Sequence, residues 1–99
     1  MSDTMIKDTG TFATPNASKY LQQLCKHFGH KVEARFDETS GEVDMPLGPA
    51  LMAATPEQLE ITVHAPDAEN LAVARGVIDS HLERFAFREE FKTMDWQAG

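Results

Sequence analysis

The strongest constraint on this chain lies between Asp67 and Phe85, where Leu71, Ala74, Ile78, Leu82 and Phe85 return at helical spacing with Val77 near their edge. Side chains three and four positions apart share one helix face, so this segment predicts a helix with one buried stripe. A helix of that kind needs an apolar partner surface. Asp67, just after Pro66, is placed to accept an early amide hydrogen bond as its N-cap. Gly76 lowers intrinsic helicity by roughly 1 kcal/mol against alanine, which packing of the stripe offsets.

A second helix is predicted from Pro15 to Phe28, with Ala17, Tyr20, Leu21, Leu24 and Phe28 on one side. Thr14 is its expected cap, Pro15 fits its first turn, and Gly29 is its expected stop through a positive backbone angle. The intervening chain has a different period. Val32, Ala34 and Phe36 alternate with Lys31, Glu33 and Arg35, and Leu59, Ile61 and Val63 alternate with Glu60, Thr62 and His64. Alternation of this kind marks strands with one covered face.

Turn residues at 37–41 precede a short row containing Val43 and Met45, and Pro46 breaks its pairing. Leu47-Gly48-Pro49 gives another reversal before the apolar segment 50–54, and 55–58 separate that from LEITVH. With an initial strand around Thr9 to Ala13, the expected order is β-α-β-β-β-β-α. This is a compact two-layer α+β domain, a mainly antiparallel sheet covered on one side by two principal helices. Its 99 residues suit one such core, so residues 1–99 are expected to form a single domain with flexible ends, the segment after Asp95 being a tail.

These two helical segments, FATPNASKYLQQLCKHFGHK and APDAENLAVARGVIDSHLERFAFREE, together with the turn-rich strands between them, resemble the bacterial family called domain of unknown function two-two-one-eight. The resemblance spans most of residues 12–91. It is carried by Thr14-Pro15, Ala17, Tyr20, Leu21, Leu24, Cys25, His27, Phe28 and His30, then by Pro66-Asp67 and Ser80 to Phe85. It implies a compact α+β domain and brings no activity, substrate or cofactor with it.

Charge narrows the partners. Nine Lys and Arg stand against sixteen Asp and Glu, a net charge of −7. From Phe36 onward four basic side chains face thirteen acidic ones. A broad nucleic-acid surface is disfavoured, because phosphates need compensating positive charge. The single cysteine excludes an intramolecular disulfide and suits a reduced, cytoplasmic setting. The opening MSDTMIKDTGTFATP lacks the features of a secretory signal, and no eighteen-residue apolar run exists, so membrane insertion is not expected. Glycine spacing matches neither a dinucleotide nor a phosphate loop, and HExxH, GxSxG and calcium-loop motifs are absent.

Four sets of residues carry the chemical possibilities. A ligand site can form where His27 and His81 meet, if both helices pack on the same sheet face, or alternatively around Arg84 and Arg88, which with the later aromatics can surround a small anionic ligand or a protein contact. Cys25-x-His27-x-x-His30 offers soft metal ligands, although Cys25 and His27 fall on opposite flanks of the apolar face. Phe87, Phe91 and Trp96 can cover the sheet edge or form an interface with a protein partner, a second copy included; Glu89, Glu90 and Lys92 suggest solvent nearby. Arg35 and His64 can form a polar patch if their strands adjoin.

An enzyme would use His27 or His81 as general base, oriented by Asp79 or Glu83, or Cys25 as a nucleophile activated by His27. The leading expectation is a binding or accessory domain for a small ligand or protein partner. The alternatives are a small metal-binding protein and a histidine-centred enzyme. No cofactor is assigned.

Overall fold

In the computed structural model the described residues are 5–89 and 91–98. Residues 1–4 and 99, part of the ends expected to be flexible, lie outside the described residues, as does Glu90. The elements are β1 (Ile6–Ala13), α1 (Ala17–Phe28), β2 (Ala34–Phe36), β3 (Ser40–Met45), β4 (Gly48–Ala54), β5 (Gln58–Ala65), α2 (Ala68–Phe85), a single 3-10 turn (Phe87–Glu89) and β6 (Asp95–Ala98). The sheet is antiparallel throughout, in the order β2-β3-β4-β5-β1-β6. It is the expected two-layer α+β architecture, with both helices on one face.

The alternation of β5 is realised as read: Leu59, Ile61, Val63 and Ala65 are buried. With Val43, Ala50 and Met52 they meet Leu21, Leu24 and Cys25 of α1 and Leu71, Ile78 and Leu82 of α2. Asp67 caps α2 through its side chain, which accepts from the Asn70 amide at 2.8 Å. No helix among the described residues is long and apolar enough to cross a membrane.

Several boundaries differ for identifiable reasons. Thr14 does not cap α1. Its amide donates to the Glu57 carbonyl at 3.0 Å, tying it to the sheet end, and its hydroxyl accepts from the Asn16 amide at 3.0 Å. The helix therefore starts at Ala17, two residues beyond Pro15. Gly29 ends α1 in right-handed rather than left-handed geometry, with φ −63°. The Lys31 and Val32 amides both donate to the Phe28 carbonyl, so these residues finish the helix and only Ala34–Phe36 remain as strand.

Close approach requires glycine at Gly41, where a Cβ would lie 2.7 Å from Cys25 Sγ, and at two positions in strand pairings. Gly48 has φ 158°, and a Cβ there would lie 2.5 Å from the His64 carbonyl oxygen. It closes the β3–β4 hairpin opposite Met45. Gly10 faces Trp96 across the β1–β6 pair, where a Cβ would lie 2.9 Å from the indole.

The expected tail after Asp95 is instead β6. It is held by Asp79 of α2, whose carboxylate accepts from the Thr93 hydroxyl (2.7 Å), the Met94 amide (3.0 Å) and the Trp96 indole N–H (3.0 Å to the nearer oxygen). A second inward-facing carboxylate, Asp8 of β1, is buried and paired with Arg75 of α2.

The 3-10 turn is anchored to α1 by Glu89, which accepts hydrogen bonds from the Tyr20 hydroxyl and from the Asn16 side-chain amide at 2.9 Å. The Tyr20 bond, as the main cause, holds the Glu89 carboxyl below its ordinary value of 4.5, while burial first and then Glu89 push Tyr20 up to about 12. Because the folded-state value of Glu89 is lowered, its contribution is present above the unfolded value and is lost as pH falls through the folded one. Tyr20→Phe is expected to cost about 1 kcal/mol near neutral pH, a low figure because Glu89 stays partly solvated. Urea unfolding at neutral and acidic pH should show the gap between the variant and the parent shrinking below the ordinary carboxyl range.

Candidate functional site

Where α1 ends, the chain is rich in imidazole and positive charge. Its last turn carries His27 and Phe28, and the continuation to β2 carries His30, Lys31 and Val32. Because α2 packs on the same sheet face, its His81 comes to the same end of the layer. The His27 and His81 rings lie 4.6 Å apart between centroids, tilted by 55°, and Phe28 lies 4.9 Å from His81. The β3–β4 turn adds Met45 and Pro46. Together with Lys31 and Val32 these residues enclose a cleft of about 210 Å³.

His81 Nδ1 lies 2.7 Å from the Val77 carbonyl oxygen. A carbonyl can only accept, so Nδ1 carries the proton and Nε2 is left as the acceptor of the neutral ring. Although His27 is exposed overall, its pKa is lowered from the ordinary 6.5. The largest cause is loss of water around part of the ring, followed by the positive fields of His81, His30, Lys31 and Arg84. For two unit charges about 4 Å apart, water alone leaves roughly 1 kcal/mol of repulsion. The lowered value also fixes the sign of the linkage. Stability tied to neutral His27 is present above the unfolded value and is lost as pH falls through the folded one. His81→Gln is expected to raise the His27 pKa only part of the way to 6.5, since desolvation remains; NMR titration of the His27 ring checks this.

The remaining candidates are placed elsewhere. Cys25 is fully buried, its Sγ 3.9 Å from Met52 Sδ, and burial pushes its thiol up to about 11. It is therefore a protonated core thiol at neutral pH, unsuited to being the activated nucleophile or a ready metal ligand. His30 sits in the turn beyond α1, and Cys25, His27 and His30 do not converge. Among the described residues no group of three or more His, Cys, Asp or Glu side chains is arranged to hold a metal ion.

Asp79 is engaged with β6 rather than orienting a histidine. Glu83 lines a separate hollow with Phe87, Phe91 and Lys92. Arg84 is exposed and contributes to the field at His27, whereas Arg88 lies over the Phe87 ring at 5.6 Å, outside the cleft lining. The three aromatics expected at an interface also divide. Phe91 is buried against Phe12, Trp96 is half-buried over Gly10, and only Phe87 is exposed, at 65%. Arg35 and His64 are separated by β3 and β4; Arg35 pairs with Glu42 and Asp44, and His64 Nδ1 approaches the Pro49 carbonyl at 2.9 Å.

Sequence reading found His27 and His81 but missed the floor beneath them. Val32 alternates like a strand residue and Met45-Pro46 reads as a strand end, so nothing in their local pattern signals a common cavity. A wider depression of about 540 Å³ lies along Arg35, Asp37, Glu42 and Leu51. Its arginine is already engaged by carboxylates, and the Asp37 carboxyl is held low first by the Thr39 and then by the Ser40 backbone amide.

Comparison with known proteins agrees with this architecture. A search of curated proteins returned no match. The chain is similar to the NMR structure of PA4090 from Pseudomonas aeruginosa, with 30% identity and a TM-score of 0.76 over 93% of this chain and 95% of that one. The family model described as "Uncharacterized protein conserved in bacteria (DUF2218)" matches residues 9–97. On that match, covering nearly all of the described fold, the chain belongs to the DUF2218 family.

Proposed function

We propose that this domain binds a small ligand in the cleft between His27 and His81, without catalysing a reaction on it. The observation that carries this reading is the convergence of two imidazoles from different helices, 4.6 Å apart, over an apolar floor of Phe28, Val32, Met45 and Pro46. A few polar groups at the mouth of an apolar cavity are what orient a small molecule. The cleft, at about 210 Å³, is below the usual ~300 Å³ lower bound for drug-sized ligands, so the ligand is smaller than that class. Catalysis is less favoured because neither imidazole has a carboxylate hydrogen-bond partner among the described residues.

The test is an amide and aromatic-ring NMR titration of the full chain with small fragments. Shifts concentrated at His27, Phe28, Val32, Met45 and His81, and abolished by the cleft-filling change Val32→Trp, support the reading. An absence of localised shifts overturns it. A second reading, contact with a protein partner, rests on exposed Phe87 and its stacked Arg88. Phe87→Ser would leave fragment binding intact and remove that contact.

A further inference from the structure

We propose that the cleft selects a small carboxylate with an apolar body and takes it up together with a proton on His27, whose ring lies against His81. This rests on the reading of the cleft as a ligand site and adds the ligand's chemical class and the linkage that follows from it. The chain as a whole repels anions, with its net charge of −7. Around this cleft the balance is reversed. His27 comes from α1, His30 and Lys31 from the connection after it, and His81 and Arg84 from α2, while the β3–β4 turn contributes only Met45 and Pro46.

Two cations elsewhere are held by carboxylates: Arg35 pairs with Glu42 and Asp44, and Arg75 with Asp8. Among the described residues neither Lys31 nor Arg84 belongs to an ion pair. Positive groups gathered at a mouth whose lining holds no carboxylate favour an anion there over a neutral molecule. The apolar floor then distinguishes a carboxylate on a hydrocarbon or aromatic body from a bare inorganic anion, which would leave that floor wet.

The proton linkage follows from the same geometry. His27, its ring against that of His81 and among further cations, holds a proton less readily in the empty cleft than a free imidazole does. A carboxylate at the cleft-facing edges of the rings remains ionised where imidazole titrates, and an opposite charge within about 4–6 Å favours the imidazolium. The bound carboxylate therefore draws a proton from solvent onto His27, with no bond made or broken in the ligand. Affinity rises as pH falls from neutral toward the imidazole range.

Calorimetry of the full chain with benzoate, and with benzamide as its neutral counterpart of the same shape, tests this. Each titration is run near neutral pH in two buffers of different ionisation enthalpy. Benzoate is expected to bind about tenfold more tightly or better. Its apparent enthalpy should differ between buffers in the sense of proton uptake, and that difference should shrink in His27→Gln. Arg84→Gln should weaken benzoate and leave benzamide unchanged. Equal affinities, or benzoate enthalpies identical in both buffers, overturn the proposal while leaving a neutral-ligand cleft intact. If neither compound shifts the cleft resonances, the ligand-site reading fails and this inference fails with it.

Discussion

Asp79→Ala is expected to destabilise the fold by about 2–4 kcal/mol, because three donors lose a charged acceptor together and hydrogen bonds to charged groups contribute roughly 1.5–3 kcal/mol each without being additive. The effect should be local in structure as well as large in energy. Asp79 is the link between α2 and the segment leading into β6, accepting from Thr93, Met94 and Trp96. Without it, Trp96 should come away from Gly10 and its fluorescence shift toward that of exposed indole, while hydrogen exchange at β1 rises on the side that pairs with β6. Asp79→Asn keeps an acceptor oxygen and should retain part of the stability. Unchanged Trp96 fluorescence and a loss below about 1 kcal/mol would show that strand pairing alone holds β6.

Arg75→Ala is the second large effect. It leaves the buried carboxylate of Asp8 without its cation in the layer between β1 and α2. Breaking a fully buried pair costs about 3–5 kcal/mol. Arg75 is a third exposed, and water entering along its path reduces the expected loss to about 2–3 kcal/mol. The companion Asp8→Leu with Arg75→Met should recover most of that loss, since replacing both charges removes the uncompensated one. Chemical denaturation of the two single variants and the double variant measures the coupling. Simple additivity would mean that the charges do not communicate.

Both effects come from carboxylates that the sequence pattern does not distinguish. The apolar stripe of α2 was legible because burial on one helix face imposes its period directly on the residues. The strand β5 was legible for the corresponding reason at period two. By contrast, Asp8 interrupts its strand's inward face and makes sense only once Arg75 is opposite it. The strand β6 is not legible because DWQA has no local signature of a strand; it forms through Gly10 and Asp79, both distant in sequence. Residues 31–33 alternate like a strand, yet the Lys31 and Val32 amides are already used by the end of α1.

The candidate site divides in the same way. His27 and His81 sit on the edges of two helical stripes that share a sheet face, so their meeting could be anticipated from helix geometry. Arg88 could not be separated from Arg84 until the chain's departure from α2 was known: at the 3-10 turn Arg88 folds over Phe87 rather than toward the cleft. Cys25 was named for its chemistry, and its depth in the core makes that chemistry unavailable.

The place of β1 in the sheet also sets the order of events in folding. Strands β2 to β5 pair with their neighbours in sequence, whereas the β1–β5 pairing joins residues such as Thr9 and Thr62, 53 positions apart. Closing so long a loop is the entropically demanding step, and β6 can add only to a β1 already in place. Changes along β1 are therefore expected to slow folding, and loosening the Asp79 clasp to speed unfolding, which stopped-flow measurement of both arms would separate. The edge of the sheet that holds β6 is on this expectation the place where unfolding starts, away from the histidine cleft.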